Sequence, residues 1–149
     1  MQSAGPFSIV GPVSKRNPII AAVPGRFAPL YVPAVIDLVL VLIFCAIGRR
    51  SHDETGALAG LATTAWPFLI GAVVGWVATW ALYRDKFDAF FLVPTGIIVW
   101  VSTVAIGMVL RAISGQGTAF SFVVVATTVL ALFLLGWRAL ARVVSARKN

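Results

Sequence analysis

The sequence predicts an all-α integral membrane protein whose four transmembrane helices form an up-down-up-down bundle, and three observations carry that expectation. Hydrophobic residues make up 60% of the 149 positions and charged residues only 11%, against about 25% charged in soluble domains. The apolar residues fall into four runs, each long enough at 1.5 Å per residue to cross a hydrocarbon layer of roughly 30 Å. The connections between runs are each under about ten residues, and such short links set neighbouring helices side by side and antiparallel.

The first span is expected at residues 31–48 and the second at 58–83, with Pro67 inside it. The third is expected at 90–110, where Pro94 suits the first turn of a helix because its missing N–H would be unpaired there anyway. The fourth is expected at 119–137, after a connection whose Gly115 and Gly117 suit a tight turn. Residues 1–30 hold prolines at 6, 12, 18, 24 and 29, which prevent a continuous helix. Phe7, Ile9, Val10, Ile19, Ile20 and Phe27 keep that segment apolar, so it reads as a Pro-rich cytoplasmic or interfacial tail suited to a membrane surface or a partner. Residues 31–141 then form the transmembrane domain, and 142–149 a basic cytoplasmic tail.

The formal charge of +7 does not point to nucleic acid, because the basic residues flank apolar runs instead of forming a stripe interleaved with aromatics. They read as topology signals. Lys15, Arg16, Arg26, Arg84, Lys86, Arg138, Arg142, Arg147 and Lys148 lie on one side of the predicted bundle, and Arg49, Arg50 and Arg111 on the other. By the positive-inside bias, both termini are expected in the cytoplasm of a bacterial inner membrane. Cys45 is the only cysteine, so the chain forms no internal disulfide and no cysteine-based metal or redox site by itself.

Asp37 stands out because a carboxylate within a span costs at least about 2.5–3.5 kcal/mol unless it is neutralised or paired. It lies about two turns into the first span, and Arg138, at the same end of the fourth, is the expected partner. That pair reads either as a structural bridge fixing helix register or as a proton- or cation-coupling site. A second group gathers Arg49, Arg50, His52, Arg111 and Gln116 on the predicted outer face, where they form a candidate site for an anionic lipid head group or a polar partner surface. Gly56, Gly60, Gly71 and Gly75 in the second span, and Gly96 and Gly107 in the third, are expected to let helices pack closely. Trp66, Trp80 and Trp137 read as interfacial anchors, and Trp76 and Trp100 as deeper packing residues.

No metal-ligand spacing, phosphate loop or nucleophile elbow is present, so neither a cofactor nor enzymatic activity is expected. Two triplets recur in matching spans of the two hairpins, Ala46-Ile47-Gly48 with Ala105-Ile106-Gly107, and Ala62-Thr63-Thr64 with Ala126-Thr127-Thr128. The echo is short, and such triplets are common in Ala-rich membrane helices.

Several motifs together resemble an actinobacterial membrane family known as domain of unknown function 3054. These are Gly48-Arg49-Arg50-Ser51-His52, Thr64-Ala65-Trp66-Pro67-Phe68, Pro94-Thr95-Gly96, and the stretch from Leu110-Arg111-Ala112 through Ser114-Gly115-Gln116-Gly117-Thr118. The resemblance covers about residues 33–140 and implies a small four-span membrane protein, without an activity, cofactor or assigned site. The function expected from all of these features is that of a non-enzymatic accessory or assembly subunit of a larger envelope or respiratory complex, with the bilayer and a membrane-protein partner or second copy as neighbours. A small homodimeric proton-coupled transporter using Asp37, and an anionic-lipid-binding membrane protein, are the alternatives.

Overall fold

A computed structural model of the chain describes residues 31–49, 56–84 and 87–148. The expectations for Arg50, His52 and the Pro-rich tail lie outside the described residues. Helix α1 spans Tyr31–Arg49 and α2 spans Ala57–Tyr83. A π-helical turn, Leu92–Gly96, leads into α3, Ile97–Ile113, and α4 spans Phe120–Ala146. Among the described residues, all four helical segments are long and apolar enough to cross a membrane.

Two boundaries differ from the sequence expectation. The third span does not open as a regular helix with Pro94 in its first turn: Val93 is extended, the Val93–Pro94 bond is cis, and the Gly96 N–H reaches the Phe91 carbonyl. The fourth helix runs nine residues past the expected end at 137, to Ala146. Its 27 residues measure about 40 Å. The hydrophobic run sets where a span must end in lipid, whereas good helix formers such as Ala139, Leu140 and Arg142 let the backbone bonding continue past it.

Each helix buries one stripe with a spacing of about four residues: Pro33, Asp37, Val41 and Cys45 on α1, and Ala126, Leu130, Leu134 and Arg138 on α4. On the third span the stripe is Thr95, Val99, Thr103, Gly107 and Arg111. The opposite faces carry exposed apolar residues such as Val39, Ile43, Ile70, Val77, Val101 and Leu132, as a lipid-facing surface requires. Helices adjacent in sequence pack together, and α4 returns to α1, closing a ring of four.

The tightest pair is α2 with α3, and glycines are the reason. A Cβ at Gly71 would sit 2.8 Å from the Ser102 carbonyl oxygen, and one at Gly75 would sit 2.8 Å from the Val99 Cα. Backbone therefore lies directly on backbone, which in lipid is how dispersion drives association without a hydrophobic effect. Gly107 gives the same access to the Phe68 ring, which also meets Phe44 edge-on at 5.6 Å. Gly56 departs from the packing expectation. It precedes α2 with φ +107°, and nothing lies within 4 Å of where its Cβ would be, so it serves a left-handed backbone turn rather than a helix contact.

Gly71→Ala is expected to destabilise the bundle by about 1–3 kcal/mol through overpacking against α3. Gly136→Ala, inside α4 at a site with open space around its Cβ, is expected to raise stability by up to about 1 kcal/mol through helix propensity. Thermal melting of both variants in one detergent checks the pair.

Candidate functional site: a buried carboxylate and guanidinium inside the bundle

The stripes of α1 and α4 each carry one charged residue, and the antiparallel arrangement brings those two to one level. Asp37 and Arg138 are both fully buried, and their pairing is bidentate. Arg138 Nη1 donates to Asp37 Oδ1 at 2.8 Å and Nη2 donates to Oδ2 at 2.7 Å. This fork-on-fork geometry matches a planar guanidinium to a planar carboxylate and gives direction as well as attraction.

Two indoles complete the carboxylate. Trp137 Nε1 donates to Oδ1 at 2.8 Å and Trp76 Nε1 donates to Oδ2 at 3.1 Å. Each carboxylate oxygen thus accepts two hydrogen bonds, and α1, α2 and α4 are joined at one acidic side chain. The same indoles cradle the cation, since the Arg138 guanidinium carbon lies 4.7 Å from the Trp137 ring centroid and 5.8 Å from that of Trp76. Arg138 Nη1 also donates to the Leu134 carbonyl one turn earlier, at 2.8 Å.

The third span contributes space. A Cβ at Gly96 would fall 3.0 Å from Arg138 Cδ, so the glycine in the π-helical turn lets the arginine stem pass. Arg138 Nε is the one buried side-chain polar atom among the described residues that has no hydrogen-bond partner. The pair carries no net charge. That is the condition under which two ions can remain in a low-dielectric interior, provided that their remaining hydrogen-bonding capacity is also met.

Sequence reasoning reached Asp37 and Arg138 but assigned the indoles elsewhere. Trp137, expected as an interfacial anchor, turns inward to the carboxylate, and Trp76, expected as a packing residue, is a donor as well. The legible signal was that an indole N–H can only donate. Near a buried carboxylate, a tryptophan adjacent in sequence to the pairing arginine is therefore a candidate ligand for it.

At the opposite end of the bundle lie the described members of the expected arginine cluster, Arg49, Arg111 and Gln116. Arg111 is 9% exposed and donates from Nη1 to Gln116 Oε1 at 2.9 Å, from Nη2 to the Gln116 carbonyl at 3.2 Å and from Nε to the Gly117 carbonyl at 3.3 Å. Its guanidinium carbon also lies 4.4 Å from the Phe122 ring centroid. Arg111 and Gln116 are thus together as expected, but the arginine faces the α3–α4 turn and the core rather than an open surface. Its task there is to satisfy carbonyls that the helix end and the turn leave without partners. Gly115 and Gly117 take φ of +72° and +77°, the left-handed conformation that this turn needs. Arg49 donates to Thr64 Oγ1 at 3.4 Å, and its guanidinium occupies the space that a Cβ at Gly60 would need.

The recurring Ala-Thr-Thr triplets also have a common local role. Thr63, Thr64, Thr127 and Thr128 each donate to the carbonyl four residues earlier, which satisfies a hydroxyl inside an apolar helix. Cys45 is buried beside Val41 and Phe44. Among the described residues, no group of three His, Cys, Asp or Glu side chains is placed to hold a metal.

Arg111→Ala is expected to free the turn that the guanidinium ties down. Loss of charge-assisted hydrogen bonds worth about 1.5–3 kcal/mol should raise hydrogen exchange of the amides at 114–118 by roughly tenfold or more. Amides around Asp37, at the other end of the bundle, should keep their protection.

Comparison with known proteins gives a family and no function. No curated protein and no solved structure matches the chain. The profile of the family described as "Protein of unknown function (DUF3054)" matches residues 34–141 of the 149. That segment begins one turn before Asp37 and ends one turn after Arg138, so it includes both halves of the buried pair, the second and third spans whole and most of the first and fourth, and the chain belongs to the DUF3054 family.

Proposed function

We propose that this multi-pass membrane protein is a non-enzymatic accessory or assembly subunit of a larger envelope or respiratory membrane complex. One observation carries the reading: both oxygens of Asp37, the acidic residue within the spans, are taken up by Arg138, Trp76 and Trp137. Its bonding capacity is directed to holding three helices together, which is what a scaffold requires. A coupling carboxylate would instead need to exchange its partners during each cycle. The apolar outer face of α2, with Trp66, Ile70, Val73 and Val77 exposed, supports lateral contact with lipid or another membrane helix.

The proposed setting is an actinobacterial plasma membrane with both termini in the cytoplasm. The Lys and Arg distribution supports that orientation, since the end of the bundle holding Asp37 also holds Arg84, Arg142, Arg147 and Lys148. The anionic-lipid reading now rests on Arg49 with Arg50 and His52, the latter two lying outside the described residues, because Arg111 is committed to the α3–α4 turn.

The transporter reading keeps one specific support, the unpartnered Nε of Arg138, which gives the buried site a polar atom with spare capacity. Two experiments separate the readings. Purification in a mild detergent should retain a stoichiometric membrane-protein partner detectable by mass spectrometry, and repeated recovery of the chain alone would count against the accessory role. In proteoliposomes the accessory reading predicts no proton-coupled flux above that of empty vesicles. Flux that disappears in Asp37→Asn would replace it with transport.

A further inference from the structure

At the end of the bundle that holds Asp37, exposed arginines lie against exposed aromatic rings. The Arg142 guanidinium carbon is 5.4 Å from the Phe91 ring centroid, and that of Arg84 is 5.7 Å from the Trp80 centroid. Among the described residues, the Arg142 side chain has no hydrogen bond or ion pair, which sets it apart from Arg111 and Arg138. Attraction to the ring quadrupole leaves the N–H donors of a guanidinium without acceptors. Those donors match the oxygens of a phosphate group.

The surroundings of Arg142 are those of a lipid boundary. It stands one turn past Arg138, in the part of α4 that continues beyond residue 137, yet Leu140, Val143 and Val144 around it are apolar and exposed. Phe90, Phe91 and Val93, at the entrance to the π-helical turn that α4 packs against, are exposed as well. Such a surface fits the level where acyl chains meet headgroups: the rings lie against the chains, and the arginine stem carries its charge out to the phosphates. Charge favours an anionic headgroup over a zwitterionic one. The last two turns of α4 hold Arg142, Arg147 and Lys148 and no acid, which is the composition that anionic lipid attracts. Asp88, in the neighbouring α2–α3 connection, turns one carboxylate oxygen to the Phe90 N–H at 2.8 Å.

We propose that Arg142 and Phe91 form a binding site for the phosphodiester of an anionic phospholipid, with Phe90, Phe91 and Val93 against the upper part of its acyl chains. The site adjoins the buried pair. Phe90 meets Trp137 edge-on at 6.1 Å, and Trp137 donates to Asp37, so the lipid packs on the layer directly outside the carboxylate. The proposal does not rest on the accessory role, and the site lies at the opposite end of the bundle from Arg49.

The test reconstitutes the full-length chain in vesicles of equal parts phosphatidylglycerol and phosphatidylcholine, extracts it in a mild detergent at about 0.15 M salt, and reads retained lipid by native mass spectrometry. Phosphatidylglycerol should be retained in preference. Arg142→Gln should lower its retention about tenfold or more, as for loss of a charge-assisted hydrogen bond. Phe91→Leu, which keeps the apolar bulk and the charge, should lower it about twofold or more. Arg147→Gln removes the same charge from an exposed residue without a ring contact, and should lower it about twofold at most, because undirected attraction is screened at that salt. Equal losses in Arg142→Gln and Arg147→Gln would overturn the proposal, as would equal retention of the two lipids by the unaltered chain. Displacement of the lipid by added inorganic phosphate would overturn it too, since the site would then read phosphate alone. A copurifying membrane protein appears in the same spectra as a separate mass, so this proposal and the accessory reading fail separately.

Discussion

The bidentate bond between Asp37 and Arg138 is the constraint from which the rest of this bundle follows. Neither residue is tolerable alone within a membrane, because each charge costs several kcal/mol when it leaves water without a partner. Their meeting is possible only if α1 and α4 are neighbours, antiparallel and in one register. The pair thereby fixes the ring closure that three short connections leave open. Trp76 extends the constraint to α2, and Gly96 extends it to the third span by leaving room for the arginine stem.

Two kinds of contact therefore divide the work. The α2–α3 pair is held by close backbone approach at Gly71 and Gly75, a nonpolar contact that depends on small residues and gives little angular preference by itself. The α1–α4 closure is held by directional polar bonds that tolerate one geometry. Between them lies an apolar core of Val41, Phe44, Phe68, Val99, Ala126, Leu130 and Leu134. Among the described residues, the buried charged side chains lie toward the two ends, with Asp37 and Arg138 at one and Arg111, bonded to Gln116, at the other. In both places an arginine is held by internal acceptors, so Arg111 faces the α3–α4 turn.

The span count and the Asp37–Arg138 pairing were legible because they depend on one-dimensional facts: hydropathy over a window, and the depth of a charge along an apolar run. The close packing at Gly71, Gly75 and Gly107 was legible because small residues within apolar runs let helices approach. The roles of Trp76 and Trp137 were not, because an indole at a given depth looks the same in sequence whether its N–H points to the headgroups or to a carboxylate. The direction of Arg111 was hidden for a similar reason, since its partners are mainly backbone carbonyls of a turn that composition alone does not shape. Gly56 looked like part of a packing series at intervals of four, yet it lies outside the helix that would have extended the series. Helix α4 continues past the expected span end at 137 because hydropathy reports where lipid ends, not where helical bonding stops.

The central claim is that Asp37 and Arg138 act as one structural unit inside the bundle. A double-mutant cycle on unfolding in a denaturing mixed micelle tests it most directly, using Asp37→Leu, Arg138→Leu and the combination. Each single change leaves a buried charge unpaired and should cost about 3–5 kcal/mol, while the double change should cost clearly less than the sum. A double mutant whose loss equals that sum within about 0.5 kcal/mol would show that the two residues act independently, and would contradict the account.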